Sequence, residues 1–264
     1  MSDSPATPEI DFWEPLRSTT QARIGLGRAG DALPTRDKLA LRSAHAVARD
    51  AVHLPWDVAA LERGIATLDL TVAHVRSRAG DRATYLRRPD LGREPDGLDE
   101  VPGADAGTYD VAIVLADGLS AAAHDHHAVP LVEAVVRRIR AADLSLAPVV
   151  LAEQARVGLG DPVGAHLGAT TVIVLVGERP GLSVADSLGA YVTHLPRPGR
   201  RDSERNCVSN IRAPHGLGYD RAAAILLGLV RGARELGESG VRFKDRSTAP
   251  PPQLGEAELD AICE

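Results

Sequence analysis

The chain has 264 residues, 36 of them acidic and 30 basic, for a formal net charge of −6. No block of Lys and Arg interleaves with aromatics, so nucleic acid is not an expected partner, and no apolar run approaches the ~20 residues of a membrane span. Hydrophobic residues make up 44% and aromatics only 3%, so the core must be built from Ala, Val, Leu and Ile. The two cysteines, Cys207 and Cys263, do not make a disulfide framework. The first residues carry no signal-peptide pattern, which makes the cytoplasm the expected location.

In chain order, the Ser/Pro/Asp-rich start reads as a flexible tail over 1–11. From Phe12 to about Leu98 the pattern is helical. Thr35 stands as an N-cap with Asp37 in the first turn, and Leu39, Leu41, Ala44, Val47 and Ala51 keep to roughly one face. A second helix is read from Trp56 or Asp57 to about Ile65, and a third near Leu70 to Arg78, with no strand in this part. Asp90 to Thr108, rich in Gly, Pro and acidic residues, reads as a linker.

Beyond it the rhythm changes. Tyr109 to Ala116 is a predicted strand, ending in Asp117-Gly118-Leu119-Ser120. Val129 to Ala142 is a predicted helix, Ala147 to Ala152 a strand, and Pro162 to Leu167 a short helix. Thr170 to Val176 is an unbroken, β-branched apolar run of the kind buried on both faces in a parallel sheet. Strands are expected again at Gly189 to Leu195 and, briefly, at Asn206 to Ser209. Arg221 to Leu236 reads as a long amphipathic helix, followed by a Pro-rich tail over 247–264. Strands alternating with helices imply βαβ units. The expected fold class is therefore α/β: a helical N-terminal domain (12–98) followed by a Rossmann-like, mainly parallel α/β domain (99–246).

The run from Thr170 stops in the polar turn Gly177-Glu178-Arg179-Pro180-Gly181. Open α/β sheets bind ligands beyond the carboxyl ends of their strands, so this turn places Glu178 at the expected binding crevice. The plainer reading pairs Glu178 with Arg179 or another surface Arg. Asp117 also follows a strand, and is either a second crevice residue or an N-cap; Asp186 and Ser187 are weaker candidates. On residue chemistry alone Cys207 reads as a small buried apolar residue.

Five phrases, in order along the chain, carry a resemblance: 20–30 (Thr20 to Gly30), 85–93 (Tyr85 to Arg93), Asp117-Gly118-Leu119-Ser120, 174–182 (Val174 to Leu182), and Cys207-Val208-Ser209-Asn210-Ile211. As an ordered set the chain resembles the small (light) subunit of ethanolamine ammonia-lyase. The resemblance implies an accessory subunit of an adenosylcobalamin-dependent lyase that converts ethanolamine to acetaldehyde and ammonia. The substrate site would lie in a large, TIM-barrel partner subunit, and the assembly would be a dodecamer, packaged in some bacteria in a protein-shelled microcompartment. By match of motif, the cobalamin-binding residues would be Val157, Glu178 and Cys207, with no catalytic residue and no metal ligand in this chain. Glu178 can accept hydrogen bonds from corrin amides, Val157 offers apolar contact, and Cys207 acts as a small, weak donor. The Asp-x-His-x-x-Gly motif that supplies a replacement axial histidine is absent, so the nucleotide base would stay on cobalt.

Two other patterns have weaker claims. Gly25-Leu26-Gly27-Arg28-Ala29-Gly30 matches G-x-G-x-x-G literally, but no strand precedes it and Pro34 separates it from the next helix; a loop against the partner subunit is the better reading. His124-Asp125-His126-His127 has no matched cluster at zinc spacing and reads as a solvated loop. The rival functions are a stand-alone nucleotide- or NAD-binding enzyme and a purely structural assembly subunit without cofactor contact.

Overall fold

The apolar runs are gathered into one six-stranded sheet in the order β1-β3-β2-β4-β5-β6. Its strands are β1 (Val72–Arg76), β2 (Tyr109–Ala116), β3 (Val149–Glu153), β4 (Ala169–Gly177), β5 (Leu188–His194) and β6 (Asn206–Ile211). β1, β3, β2 and β4 run parallel, whereas β5 is antiparallel to β4 and β6 antiparallel to β5. The sheet is thus mainly parallel, with an antiparallel extension at one edge. The computed structural model describes residues 11–243. They form two compact units, 11–46 and 47–243. The expected terminal tails, including Cys263, lie outside the described residues but for Asp11.

In the first unit, α1 (Glu14–Thr19) leads into the glycine-containing loop, where Arg17 Nη1 donates to the Gly25 carbonyl at 2.9 Å. α2 (Thr35–His53), which runs on into the second unit, has Thr35 as its first helical residue rather than as the expected N-cap.

In the second unit, alternate side chains of the central strands feed two cores. Ile113, Leu115, Ile173, Leu175, Leu188, Ala190 and Val192 face α3 (Val58–Ala66), α5 (Ala122–Arg140) and α7 (Tyr219–Leu236). Ala112, Val114, Ala116, Val172, Val174 and Val176 face the opposite way, toward the 3-10 turn Val157–Leu159 and α6 (Gly160–His166). β4 is apolar from Val172 to Val176 because both its faces are covered there, and each fully buried Val, Leu or Ile stabilises the fold by roughly 1.5–3 kcal/mol.

One predicted helix is a strand. Leu70 to Arg78 contains β1, whose burial alternates, with Ala73 and Val75 inside and Arg76 exposed. Its register against β3, Val72 opposite Val149 to Arg76 opposite Glu153, comes from residues 77 positions away. Such distant pairing overrides local helix propensity. α5 likewise begins seven residues before the expected Val129, at Ala122. Its early buried positions are His124, His127 and Ala128, which keep helical spacing but are partly polar.

Candidate functional site

β2 leads through α5 to β3 on one side, while β4 turns to β5 on the other, so the carboxyl ends of β2 and β4 form the switch point of the sheet. Here the expected crevice is closed by backbone. Leu119 N donates to the Gly177 carbonyl at 2.9 Å. A Cβ on Gly118 would collide with that carbonyl, and one on Gly177 would collide with the Ser120 and Asp117 carbonyls. Gly118 sits at φ +60°, a conformation open to glycine at little cost.

Asp117 is buried at this junction and is neither an N-cap nor a crevice residue. Its Oδ1 accepts from Gly118 N at 3.0 Å and Ala155 N at 2.9 Å, and Oδ2 lies 3.7 Å from Arg82 Nη1. Burial pushes its carboxyl up to about 6, against the opposing pull of the Ala155 amide and Arg82. Asp117 therefore ties the end of β2 to the segment that follows β3.

Glu178 leaves β4 at the same level but does not enter the switch-point crevice. Its side chain turns across β5. Oε2 accepts from Ser187 Oγ at 2.5 Å, and both carboxylate oxygens accept from Asn210 N, at 3.3 and 3.2 Å. Gly189 makes this path possible, since a Cβ there would lie 3.0 Å from Glu178 Oε1 and 3.3 Å from its Cγ. These partners, rather than Arg179, hold the carboxylate.

The Asn210 amide is available because the β5–β6 ladder slips. Val208 pairs with Ala190 and Ile211 with Leu188, so β6 has one residue more than β5 across this step. The resulting bulge frees an N–H from the ladder and re-aims it. Asn210 takes φ +56°, a left-handed conformation that Asn tolerates better than most residues.

Among the described residues, the helices in substantial contact with β5 and β6 are α5 and α7, and both lie on the face opposite the one over which Glu178 lies. α7 packs on the other side of β5 and β6, while α6 packs on β4. Tyr191 and Cys207 are directly paired and so share this open face. Cys207 is exposed, contrary to the buried position expected from its chemistry, and its Sγ lies 3.3 Å from Ser209 Oγ. Burial, and then the neighbouring Cys207 thiol, push the Tyr191 hydroxyl upward, so it stays protonated at neutral pH. At the far end of the face Arg205 makes a bidentate pair with Asp161, both contacts at 2.6 Å, and donates to Thr193 at 2.9 Å.

Val157 opens the 3-10 turn that follows β3 and packs on the same side of the sheet as Tyr191. The turn is braced by Tyr85, which belongs to α4 (Arg82–Arg87). Tyr85 is buried between two guanidiniums, Arg82 at 4.7 Å and Arg156 at 4.5 Å from the ring centre, a favourable cation–π arrangement. Arg156 Nη2 also donates to the Tyr85 carbonyl at 3.1 Å, and Arg156 N to the Gly92 carbonyl at 2.8 Å. The phrase from Tyr85 to Arg93 thus holds the Val157 turn in place.

The structure therefore gathers Glu178 and Cys207 about Tyr191, with Val157 on the same side of the sheet. Tyr191, Gly189 and Asn210 were not singled out from sequence. In sequence the apolar Leu188, Ala190 and Val192 alternate with Gly189, Tyr191 and Thr193, a pattern that could have placed Tyr191, the one half-buried position of β5, on the opposite face. No sequence signal marks the bulge.

The remaining candidates stand as follows. Gly25 to Gly30 follows a helix and precedes α2 by several residues, so the strand–turn–helix context of a dinucleotide fingerprint is absent. The run His124 to His127 is not a solvated loop: it lies in the first turns of α5, with His124 and His127 buried. His124 Nε2 reaches the Ala116 carbonyl at 2.6 Å, and burial pushes its imidazole down to about 4, so it is neutral. Asp186 lies 3.0 Å from His126 Nδ1. Among the described residues no helix is long and apolar enough to cross a membrane.

Together these features define a Rossmann-like α/β protein with an antiparallel extension, whose strand-end crevice is shut and whose polar groups cluster on a sheet face that no helix covers among the described residues. The family profile described as "Ethanolamine ammonia-lyase light chain (EutC)" matches residues 10–244. An ethanolamine ammonia-lyase small subunit from Rhodococcus erythropolis is 52% identical over 250 residues, covering 94% of this chain and 96% of the relative. Proteins of the same name from Ralstonia nicotianae and Azotobacter vinelandii are 49% and 51% identical over 258 and 253 residues. These two alignments cover 96% and 94% of this chain, and 95% and 93% of the relatives. The chain belongs to the ethanolamine ammonia-lyase light-chain family.

Proposed function

We propose that this chain is the small subunit of an adenosylcobalamin-dependent ethanolamine ammonia-lyase and supplies one wall of the cobalamin site. Catalysis on ethanolamine would take place in a large TIM-barrel subunit within a dodecameric assembly, and this chain would be inactive alone. The observation that carries the reading is the fixed Glu178 carboxylate beside a sheet face on which half-buried Tyr191 is flanked by the small, exposed Cys207 and Ser209.

The residues suit the group. A corrin is broad, rather flat and rimmed with amides, so it needs an unobstructed surface and acceptors at its edge. Ser187 and Asn210 N each use part of the capacity of Glu178, yet a carboxylate has about four lone-pair sites and so retains room for a corrin amide. Hydrogen bonds to a charged acceptor are the stronger kind. Val157 and Tyr191 offer apolar contact, and Cys207 a small weakly polar one. When bound, adenosylcobalamin supplies the radical chemistry of the reaction, and the chain's own contribution is binding, orientation and exclusion of water.

The closed switch point speaks against a nucleotide in the Rossmann position, so the NAD-binding alternative finds no support there. The test is co-expression with the large subunit, followed by assay of ammonia release from ethanolamine across an adenosylcobalamin titration. Glu178→Ala should raise the half-saturating cofactor concentration about 10- to 100-fold, as expected for a lost charged hydrogen bond worth about 1.5–3 kcal/mol. An unchanged titration curve would favour the purely structural subunit.

A further inference from the structure

The three residues His126, His127 and Asp186 converge on one point apart from the Glu178 face. His126 Nδ1 lies 3.0 Å and His127 Nε2 3.5 Å from the same oxygen, Asp186 Oδ2. All three atoms fall within 4.8 Å of one another. The side chain of His127 is 7% exposed, that of Asp186 35% and that of His126 60%, so the cluster runs from the protein interior to solvent.

His127 is the buried member of the cluster, held between Tyr219 and Asp186. Its Nδ1 is 2.8 Å from the Tyr219 hydroxyl, whereas Nε2 is buried without a hydrogen-bond partner. Buried polar atoms are almost always well paired, and Nε2 has only the 3.5 Å contact to Asp186 Oδ2, so the site has room for a closer partner. If Nδ1–H donates to Tyr219, the lone pair on Nε2 is fixed toward Asp186. This is the outer-shell arrangement that orients metal-binding histidines.

We propose that His126 Nδ1, His127 Nε2 and Asp186 Oδ2 bind a divalent first-row transition cation of the Zn2+ class. Two imidazoles and a carboxylate form a mixed nitrogen and oxygen set that suits Zn2+ rather than Mg2+ or Ca2+, which prefer all-oxygen shells. Zn–N and Zn–O bonds of about 2.0–2.1 Å at tetrahedral angles put neighbouring ligand atoms about 3.3 Å apart. The two separations to Asp186 Oδ2 are 3.0 and 3.5 Å, close to this value, and the two imidazole nitrogens, within 4.8 Å of one another, would draw together around the ion. Three protein ligands leave a fourth position for water on the exposed side of His126.

The ion would tie the segment between β4 and β5 to α5. Asp186 immediately precedes Ser187, whose hydroxyl holds Glu178, so the ion would stiffen the support of the carboxylate. That consequence rests on the cobalamin reading; the metal site itself does not, and its test needs no cofactor.

The full-length, tag-free chain, freed of metal with a chelator, is titrated with Zn2+ in competition with a chromogenic chelator. Co2+ then serves as a visible-absorbing probe of the same site. The expected result is a single high-affinity Zn2+ per chain, weakened about 10- to 100-fold or more in both His126→Ala and Asp186→Asn, with loss of the Co2+ bands. Both substituted residues are at least a third exposed, and circular dichroism shows whether the variants keep the fold. Absence of Zn2+ binding by the parent chain, or unaltered affinity in either folded variant, would overturn the proposal.

Discussion

Asp117 and Glu178 follow equivalent strands, yet the structure gives them opposite work. Glu178 is half-buried, held by Ser187 and Asn210, and turned to an open face. Asp117 is buried, and both amides it serves bind the same oxygen, Oδ1. Burial raises its folded pKa from 3.8 to about 6. A raised carboxyl pKa stabilises the fold fully below about 3.8, and the contribution is lost as pH rises through about 6. The whole contribution is on the order of 3 kcal/mol. Asp117→Asn retains an Oδ1 acceptor for both amides and removes the titration. Urea unfolding of parent and variant between pH 4 and 7 should therefore show the parent losing stability relative to the variant as pH rises; a constant difference would show that the carboxyl does not titrate in this window. Position relative to a strand end is legible in a sequence, and it brought both acids forward. Which of them turns outward depends on Gly189 and on a ladder slip in β6, and neither is a local property of the acid.

At the level of elements, the antiparallel extension is what makes an open face. Among the described residues β5 and β6 are backed by α7 on one side, and the edge of the other side is pinned by the Arg205–Asp161 pair, which joins the start of β6 to α6. The side chains of this pair are 1% and 3% exposed, and Arg205 also donates to the Arg200 carbonyl at 3.2 Å. Removing one member leaves a buried charge without its counter-ion, which costs about 3–5 kcal/mol, whereas replacing both with apolar residues costs far less. Arg205→Met should lower the urea midpoint by the corresponding amount, and Arg205→Met combined with Asp161→Leu should restore much of it. Equal loss in the two variants would mean that packing, not the buried charge, sets the stability here. The strands after Thr108 were legible because their apolar runs are long and β-branched. β1 was not, since it is short, sits at the sheet edge and is selected by β3. The first turns of α5 were hidden by histidines standing at buried positions, where periodicity counts them as polar.

On the scale of the whole molecule, a Rossmann-like sheet has its usual crevice closed by glycine backbone and offers an uncovered face instead. Charge and apolar run length gave no reason to expect nucleic-acid or membrane partners, and the order of five phrases pointed to the family now established by the 10–244 match. What composition could not show is the physical reason for those phrases: Tyr85 to Arg93 braces the Val157 turn, Asp117 to Ser120 closes the crevice, and Cys207 to Ile211 contains the bulge. The central claim is that the open face of β5 and β6 forms one wall of a cobalamin site shared with a second subunit. It is tested most directly by solving the structure of this chain assembled with the large subunit and loaded with cobalamin. The expected result is the Glu178 carboxylate within hydrogen-bonding distance of a corrin amide and the Tyr191–Cys207 face in van der Waals contact with the macrocycle. A cobalamin bound wholly within the large subunit, with Glu178 facing water or covered by protein alone, would contradict it.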